Sequence, residues 1–309
     1  MSRASSYDLG RQFMERIGQF QRPLFLLAHH DDEIPTGGLL QRLGAGKRIV
    51  WVTNSDGLYF ESDKTPAEYG LLRIAEGLTS VANGGVGAEA VTNLGFSEVE
   101  IYRQLSRLYQ GVQTMADARP FFQAIRDRVR EAVLDLRPDA VFTLAWQGGQ
   151  PEHDLTHFFT MLALGDLQKA TGKRPEFFHM PAYEYTILVA MRFHPLYRGQ
   201  RIRLRLSGVE LAAKMRMMEA YPSQVRLFGD FQKLFGIVGK IGHVTGGPKS
   251  AEEYVTIEEF GPVPEGLDYT AKPHAFDYFT YMFDDFEGVP VTFTKSVRPI
   301  VQSFLADPG

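Results

Sequence analysis

Residues 23–36 read P-L-F-L-L-A-H-H-D-D-E-I-P-T, and this stretch decides the fold. Leu24, Phe25, Leu26, Leu27 and Ala28 form an apolar run without alternation, the pattern of a strand buried on both faces, as parallel strands are. The run empties into His29, His30, Asp31, Asp32 and Glu33, and Thr36-Gly37-Gly38 then opens an amphipathic segment. A buried strand ending in two imidazoles and three acids delivers them to the edge where open α/β sheets keep their ligand crevice. The bland reading of the same residues is a solvated charged turn.

Outward from this stretch, strand and helix signals alternate. Leu39, Leu40 and Leu43 mark a helix closed by Gly44 and Gly46. Residues 48–53 (R-I-V-W-V-T) form a second strand, ending in the polar loop Asn54-Ser55-Asp56-Gly57. Thr65-Pro66-Ala67-Glu68 is a capping box with proline at the first helical position, and Leu71, Ala75 and Leu78 form that helix's buried stripe. Residues 90–94 make a short third strand. Phe122, Ile125, Val129, Val133 and Leu136 mark a long helix stopped by Arg137-Pro138. Residues 139–146 (D-A-V-F-T-L-A-W) form a fourth strand, which empties into Q-G-G-Q-P-E-H-D at 147–154, with a helix over 155–170. Residues 177–183 form a fifth strand ending near Glu184, and 202–206 a sixth. Ser207-Gly208-Val209-Glu210 caps a Met-rich helix that ends at Tyr221-Pro222, and Leu9, Phe13, Ile17 and Phe20 place a helix at the start.

This alternation predicts an α/β fold: a Rossmann-like, doubly wound, mainly parallel sheet of order near 3-2-1-4-5, with helices on both faces. The expected organisation is one domain over 1–260 and an aromatic-rich extension over 261–309 packed on it. The 309 residues are 44% hydrophobic and 23% charged, an ordinary globular composition. A net charge of 33 − 37 = −4 argues against nucleic acid or an anionic membrane as partner. With no cysteines, any metal must use His, Asp or Glu. No apolar run is long enough to span a bilayer, and residues 1–20 lack the pattern of a signal peptide, so the expected location is cytoplasmic.

In a sheet ordered 3-2-1-4-5 the first and fourth strands are neighbours, and their polar ends meet across a crevice. His29, Asp31 and Asp32 come from one side and His153 from the other. Two imidazoles and a carboxylate form a common ligand set with positions open for water and substrate. His30-x-Asp32 with His153 also fits the facial triad of non-haem iron oxygenases, although the strand–helix alternation argues against their usual all-β fold.

A-H-H-D-D-E with T-G-G beyond it is similar to the A-H-P-D-D-E signature of the PIG-L/LmbE-like zinc-dependent N-deacetylases. G-G-Q-P-E-H-D is similar to the family's G-G-H-P-D-H-D. Arg73-Ile74-Ala75-Glu76 resembles its R-x-x-E helix, and Lys214 through Tyr221-Pro222-Ser223-Gln224 its K…Y-x-S-Q segment. The four motifs lie in order over roughly residues 22–228. The resemblance implies that His29, Asp32 and His153 hold zinc, with Fe(II) or another divalent metal suiting the same donors. It implies that Asp31 is the general base for the attacking water. The implied reaction removes an acyl (acetyl) group from an amine, with an N-acetylated amino sugar or glycoside as small-molecule partner.

Three residues depart from the family pattern. His30 replaces proline and is expected to point away from the metal. Glu152 replaces aspartate. Gln150 replaces the histidine that the family is thought to use on the oxyanion; an amide can donate there but cannot be cationic. That last change opens the alternative of a non-catalytic or altered-activity metal- or sugar-binding member. Arg73, Asn54 and Glu184 are candidate substrate contacts, Arg73 having the bland alternative of a pair with Glu76. Asp154 and Glu33 are candidates to support ligands from behind, or plain helix-end acids. His157, His179, His194, His243 and His274 are expected to be structural.

Overall fold

A computed structural model describes residues 5–184, 189–194, 196–226, 229, 251–273, 281 and 285–307. Five strands form the parallel body of the sheet: β1 (Pro23–Leu27), β2 (Arg48–Thr53), β3 (Val91–Phe96), β4 (Ala140–Leu144) and β5 (Glu176–Met180). Next in the chain, β6 (Tyr183–Glu184) and β7 (Val189–Ala190) pair with each other apart from it. β8 (Ile202–Arg205) and β9 (Ile257–Pro262) complete a seven-stranded sheet ordered β3-β2-β1-β4-β5-β9-β8. β9 runs antiparallel to β5 and β8 antiparallel to β9, so the sheet is mixed; its first five strands stand in the order 3-2-1-4-5, and the full order differs from the expectation by the two strands added beyond β5. β9 was not legible because it carries Glu258 and Glu259, both fully buried. A strand with acids inside reads as loop until their partners are known.

The helices are α1 (Ser6–Arg16), α2 (Gly37–Arg42), α3 (Pro66–Asn83), α4 (Glu98–Gln110), α5 (Met115–Leu136), α6 (Pro151–Thr171), α7 (Gly208–Glu219), α8 (Ala251–Thr256) and α9 (Arg298–Ala306). Strand alternation sends Leu24, Leu26, Val50 and Val52 into one core with α4, α5, α6 and α9. It sends Phe25, Leu27, Ile49 and Trp51 into a second core with α1, α2 and α7. In the second core Phe25, Phe142 and Phe178 stack across β1, β4 and β5 at 5.0 Å spacings. Phe293, Val297, Ile300 and Phe304 sit in the first core beside Val129 and Phe159, and residue 260 falls inside β9. No helix among the described residues is long and apolar enough to cross a membrane.

One buried ion pair fixes how α2 leaves the site. Lys214 on α7 donates from Nζ to Glu258 Oε1 at 2.8 Å and to the Pro35 carbonyl at 3.1 Å. The same carboxylate accepts the Gly38 and Leu39 amides at the start of α2, at 2.7 and 2.8 Å. Removing one member leaves the other charge buried without its partner, which typically costs about 3–5 kcal/mol. Lys214→Met should therefore lower unfolding stability in urea by about that amount. Lys214→Met combined with Glu258→Gln should recover part of the loss, and an unchanged midpoint for the single variant would show that the pair does not hold the fold.

Candidate metal centre

The turn after β1 builds the site. Thr53 ties the strand end down, donating from N and Oγ1 to the Ala28 carbonyl at 2.9 and 2.8 Å. Beyond it the chain is no longer extended, and Asp31 has φ of 103°, a region that non-glycine residues rarely adopt. This turn, rather than the alternation of an extended strand, sends Asp31 to Arg73 and Asp32 to His153. Three contacts hold the strained residue. Arg73 donates to Asp31 Oδ2 at 2.8 Å and to the His30 carbonyl, and the Asp31 amide donates to Glu33 Oε2 at 3.1 Å. Glu33 Oε1 in turn accepts the Ser80 and Tyr221 hydroxyls, each at 2.6 Å. Glu33 thus braces the turn from behind.

His29 and Asp32 come from this turn and His153 from the first turn of α6, which begins at Pro151 rather than at the expected 155. His29 Nδ1 lies 3.0 Å from His153 Nε2, His153 Nε2 lies 3.1 Å from Asp32 Oδ1, and His29 Nδ1 lies 3.7 Å from Asp32 Oδ2. Tetrahedral zinc with arms of about 2.0–2.2 Å needs donor–donor edges of roughly 3.3 Å, so this group fits a metal site. The electrostatics agree. Burial opposes charge on His29, yet Glu98 and Asp32 outweigh it and push the imidazole up to about 10. Burial likewise opposes ionisation of Asp32, and His153 outweighs it, holding the carboxyl far below the usual range. His29 and Asp32 thus attract positive charge strongly enough to overcome desolvation, whereas at His153 burial wins and holds the imidazole below its ordinary value.

His30 turns the other way, as expected. It is fully buried, its ring lies 4.3 Å from that of Trp51, and Nδ1 meets Ser55 Oγ at 2.7 Å. A cavity of about 290 Å³ opens over the metal-ligand group, bordered by His29, Asp31, Asp32, Arg73, Glu98 and Gln150, with Val99, Tyr102 and Phe286 as an apolar wall. Burial pushes the Asp31 carboxyl up to about 7 while Arg73 pulls it back.

Other expected site residues sit elsewhere or do other work. Arg73 borders the cavity, but its guanidinium is also taken by Glu76 at 3.1 Å and Ser223 at 3.3 Å. Asn54 packs its side chain against Gly70 and does not border the cavity. The side chain of Glu184 lies outside the described residues, as do His243 and His274. Asp154 accepts the Gln147 and Gly148 amides at 3.2 and 3.3 Å and the Tyr281 hydroxyl at 3.2 Å. It shapes the loop that carries Gln150; these bonds do not reach a ligand histidine. His157 is structural, bonded to the Leu144 carbonyl at 2.7 Å and the Tyr269 hydroxyl at 3.0 Å. Sequence reading missed Glu98 and Tyr102, which lie on α4. The signal was present in Ser97 as N-cap and in the spacing of Val99, Tyr102 and Ser106.

Fold and geometry together define an α/β protein with a buried His-Asp-His group at the carboxyl ends of adjacent parallel strands. Residues 24–164 match the family model described as PIG-L: GlcNAc-PI de-N-acetylase, so the resemblance carried by the motifs holds over that stretch. Similar solved structures include the A40926 pseudoaglycone deacetylase Dbv21, at 18% identity over 80% of this chain and 99% of that one, with a TM-score of 0.53. Another is the N,N'-diacetylchitobiose deacetylase from Pyrococcus horikoshii, at 14% identity, 83% and 90% coverage and a TM-score of 0.50. A third is GalB, the 4-carboxy-2-hydroxymuconate hydratase from Pseudomonas putida KT2440, at 15% identity, 80% and 98% coverage and a TM-score of 0.51. At such identities the likeness shows the fold, and a fold that also carries a hydratase does not name a reaction. No curated protein matches the chain.

The geometry separates the two histidines experimentally. His29→Ala should strip bound metal, while His30→Ala should keep metal content near wild type at some loss of stability, as metal analysis and thermal melting would show. Retention by His29→Ala with loss by His30→Ala would reverse the ligand assignment.

Proposed function

We propose that the protein is a metal-dependent N-deacetylase, with zinc as the metal, which hydrolyses the acetamide of an N-acetylated amino sugar or glycoside. The observation that carries this reading is the meeting of the ligand atoms of His29, Asp32 and His153 at the edge of the cavity that His29, Asp31 and Asp32 line, inside the stretch that matches the family model. His29, Asp32 and His153 would hold the divalent cation, which when bound would supply Lewis acidity for activating water and polarising an amide carbonyl. The family description, GlcNAc-PI de-N-acetylase, and the name of the similar N,N'-diacetylchitobiose deacetylase support an N-acetylated sugar as the substrate class.

The rest falls to the chain's own residues. Asp31 takes the proton of the attacking water as its oxygen bonds to the carbonyl carbon. It returns that proton to the nitrogen as the C–N bond breaks, freeing the amine and acetic acid, whose proton the amine takes up to leave ammonium and acetate. Arg73 keeps the Asp31 carboxylate facing the cavity. Gln150 caps α6 without using its side chain for the cap, so its amide is available to donate to the developing oxyanion.

Asp31→Asn removes the basicity at nearly constant shape. It should retain metal and lower release of free amine by roughly 10²–10⁴-fold. Gln150→Ala should lower turnover further at unchanged metal content. Gln150→His should raise it, since a charge-assisted bond is about twice as strong as a neutral one. Inertness of wild type and both Gln150 variants towards every N-acetyl sugar tried, with metal and sugar still bound, would replace hydrolysis by the binding-protein reading.

A further inference from the structure

A metal-ligating histidine needs one bare ring nitrogen, so the proton must sit on the other. In His29 the nitrogen facing Asp32 and His153 is Nδ1, which leaves the proton on Nε2. Nε2 is buried and lacks a hydrogen-bond partner, and an N–H left so costs the desolvation of that group. Glu98 Oε1 lies 3.7 Å away on the opposite side of the ring from the ligand group. Closing that gap by less than about 1 Å gives a bond of ordinary length.

The chain places this carboxylate with care. Asp56 Oδ1 accepts the Glu98 and Val99 amides at 2.7 and 3.2 Å, and Oδ2 accepts the Ser97 hydroxyl at 2.7 Å, which fixes the start of α4. The Gly57 amide donates to Glu98 Oε2 at 3.0 Å, which leaves Oε1 free for His29. A β-carbon at Gly57 would come within 2.4 Å of Glu98 Oε1, so glycine is what lets the carboxylate lie there.

We propose that Glu98 is the positioning residue of the metal centre, accepting the Nε2 proton of His29 and so holding the ring with Nδ1 bare towards the cation. The inference rests on the metal-centre reading. Glu152 is a second acid nearby, with ligand atoms of His29, Glu98 and Glu152 within 4.8 Å of one another. Its contribution is separable by mutation.

The test is zinc affinity of the metal-stripped full chain, measured by competition with a chromophoric chelator. Loss of such an outer partner typically weakens metal binding 10–100-fold, which is the effect expected for Glu98→Ala. Gly57→Ala should weaken binding in the same direction although Glu98 is intact, and Glu152→Gln should stay near wild type. In ¹⁵N-histidine spectra of the zinc-loaded wild type the His29 proton should sit on Nε2 and exchange slowly. In Glu98→Ala that protection should be lost, a change that a purely structural role would not produce. Wild-type affinity in Glu98→Ala, a larger effect from Glu152→Gln, or a His29 proton on Nδ1 would each overturn the inference while leaving the deacetylase reading intact. A wild type that takes no zinc would overturn both.

Discussion

One guanidinium sealed inside the protein holds the site in shape. Arg73 is 2% exposed, and a charge so buried persists only when it is paired and hydrogen-bonded. Its partners come from three segments distant in sequence: the His30 carbonyl and Asp31 carboxylate of the turn, Glu76 of its own helix, and Ser223 beyond α7. The Tyr221 ring lies 4.8 Å from the guanidinium carbon and sends its hydroxyl to Glu33. The strained φ of Asp31 is held by this cage, which is how strain persists in folded proteins. The histidine–aspartate turn, the R-x-x-E helix and the Y-x-S-Q segment read as separate motifs in the sequence. In space the three are one hydrogen-bonded unit.

The sequence disclosed what depends on local pattern. Apolar runs located β1, β2 and β4, and capping boxes located α3 and α7, because such signals lie within a few residues of each other. The meeting of residues 29–32 with His153 followed from strand order alone. What stayed hidden depends on partners far along the chain. β9 looked unlike a strand because Glu258 and Glu259 are made tolerable by Lys214 and Arg203, which lie 44 and 56 residues away. Asp154 reads in the sequence as a support for a ligand histidine or as a plain helix-end acid, and its bonds go to the loop before Gln150 and to Tyr281. Glu98 is an acid near a helix start, and only the fold shows that it faces His29.

The division of labour between scaffold and site is sharp. The sheet brings two strand ends together and walls them with aromatic cores on both faces. A similar fold carries deacetylases and a hydratase, so the fold leaves the chemistry open and the few side chains around the cavity distinguish this chain. Here those are two imidazoles, a carboxylate held ionised by them, and a second carboxylate gripped by a fixed cation. The apolar side of the cavity, Val99, Tyr102 and Phe286, draws on α4 and on the C-terminal segment. Both lie away from the four motifs, so the His-Asp-His group and the apolar wall of the cavity are encoded in different stretches of the chain.

The central claim is that His29, Asp32 and His153 together hold the cation on which the chemistry depends. Anomalous diffraction at the zinc edge from crystals of the zinc-loaded protein tests it most directly. The account predicts one dominant peak, about 2.0–2.2 Å from His29 Nδ1, His153 Nε2 and an Asp32 oxygen. A peak held instead by Glu98 and Glu152, or no peak in a preparation that still hydrolyses an N-acetylated sugar, would contradict it.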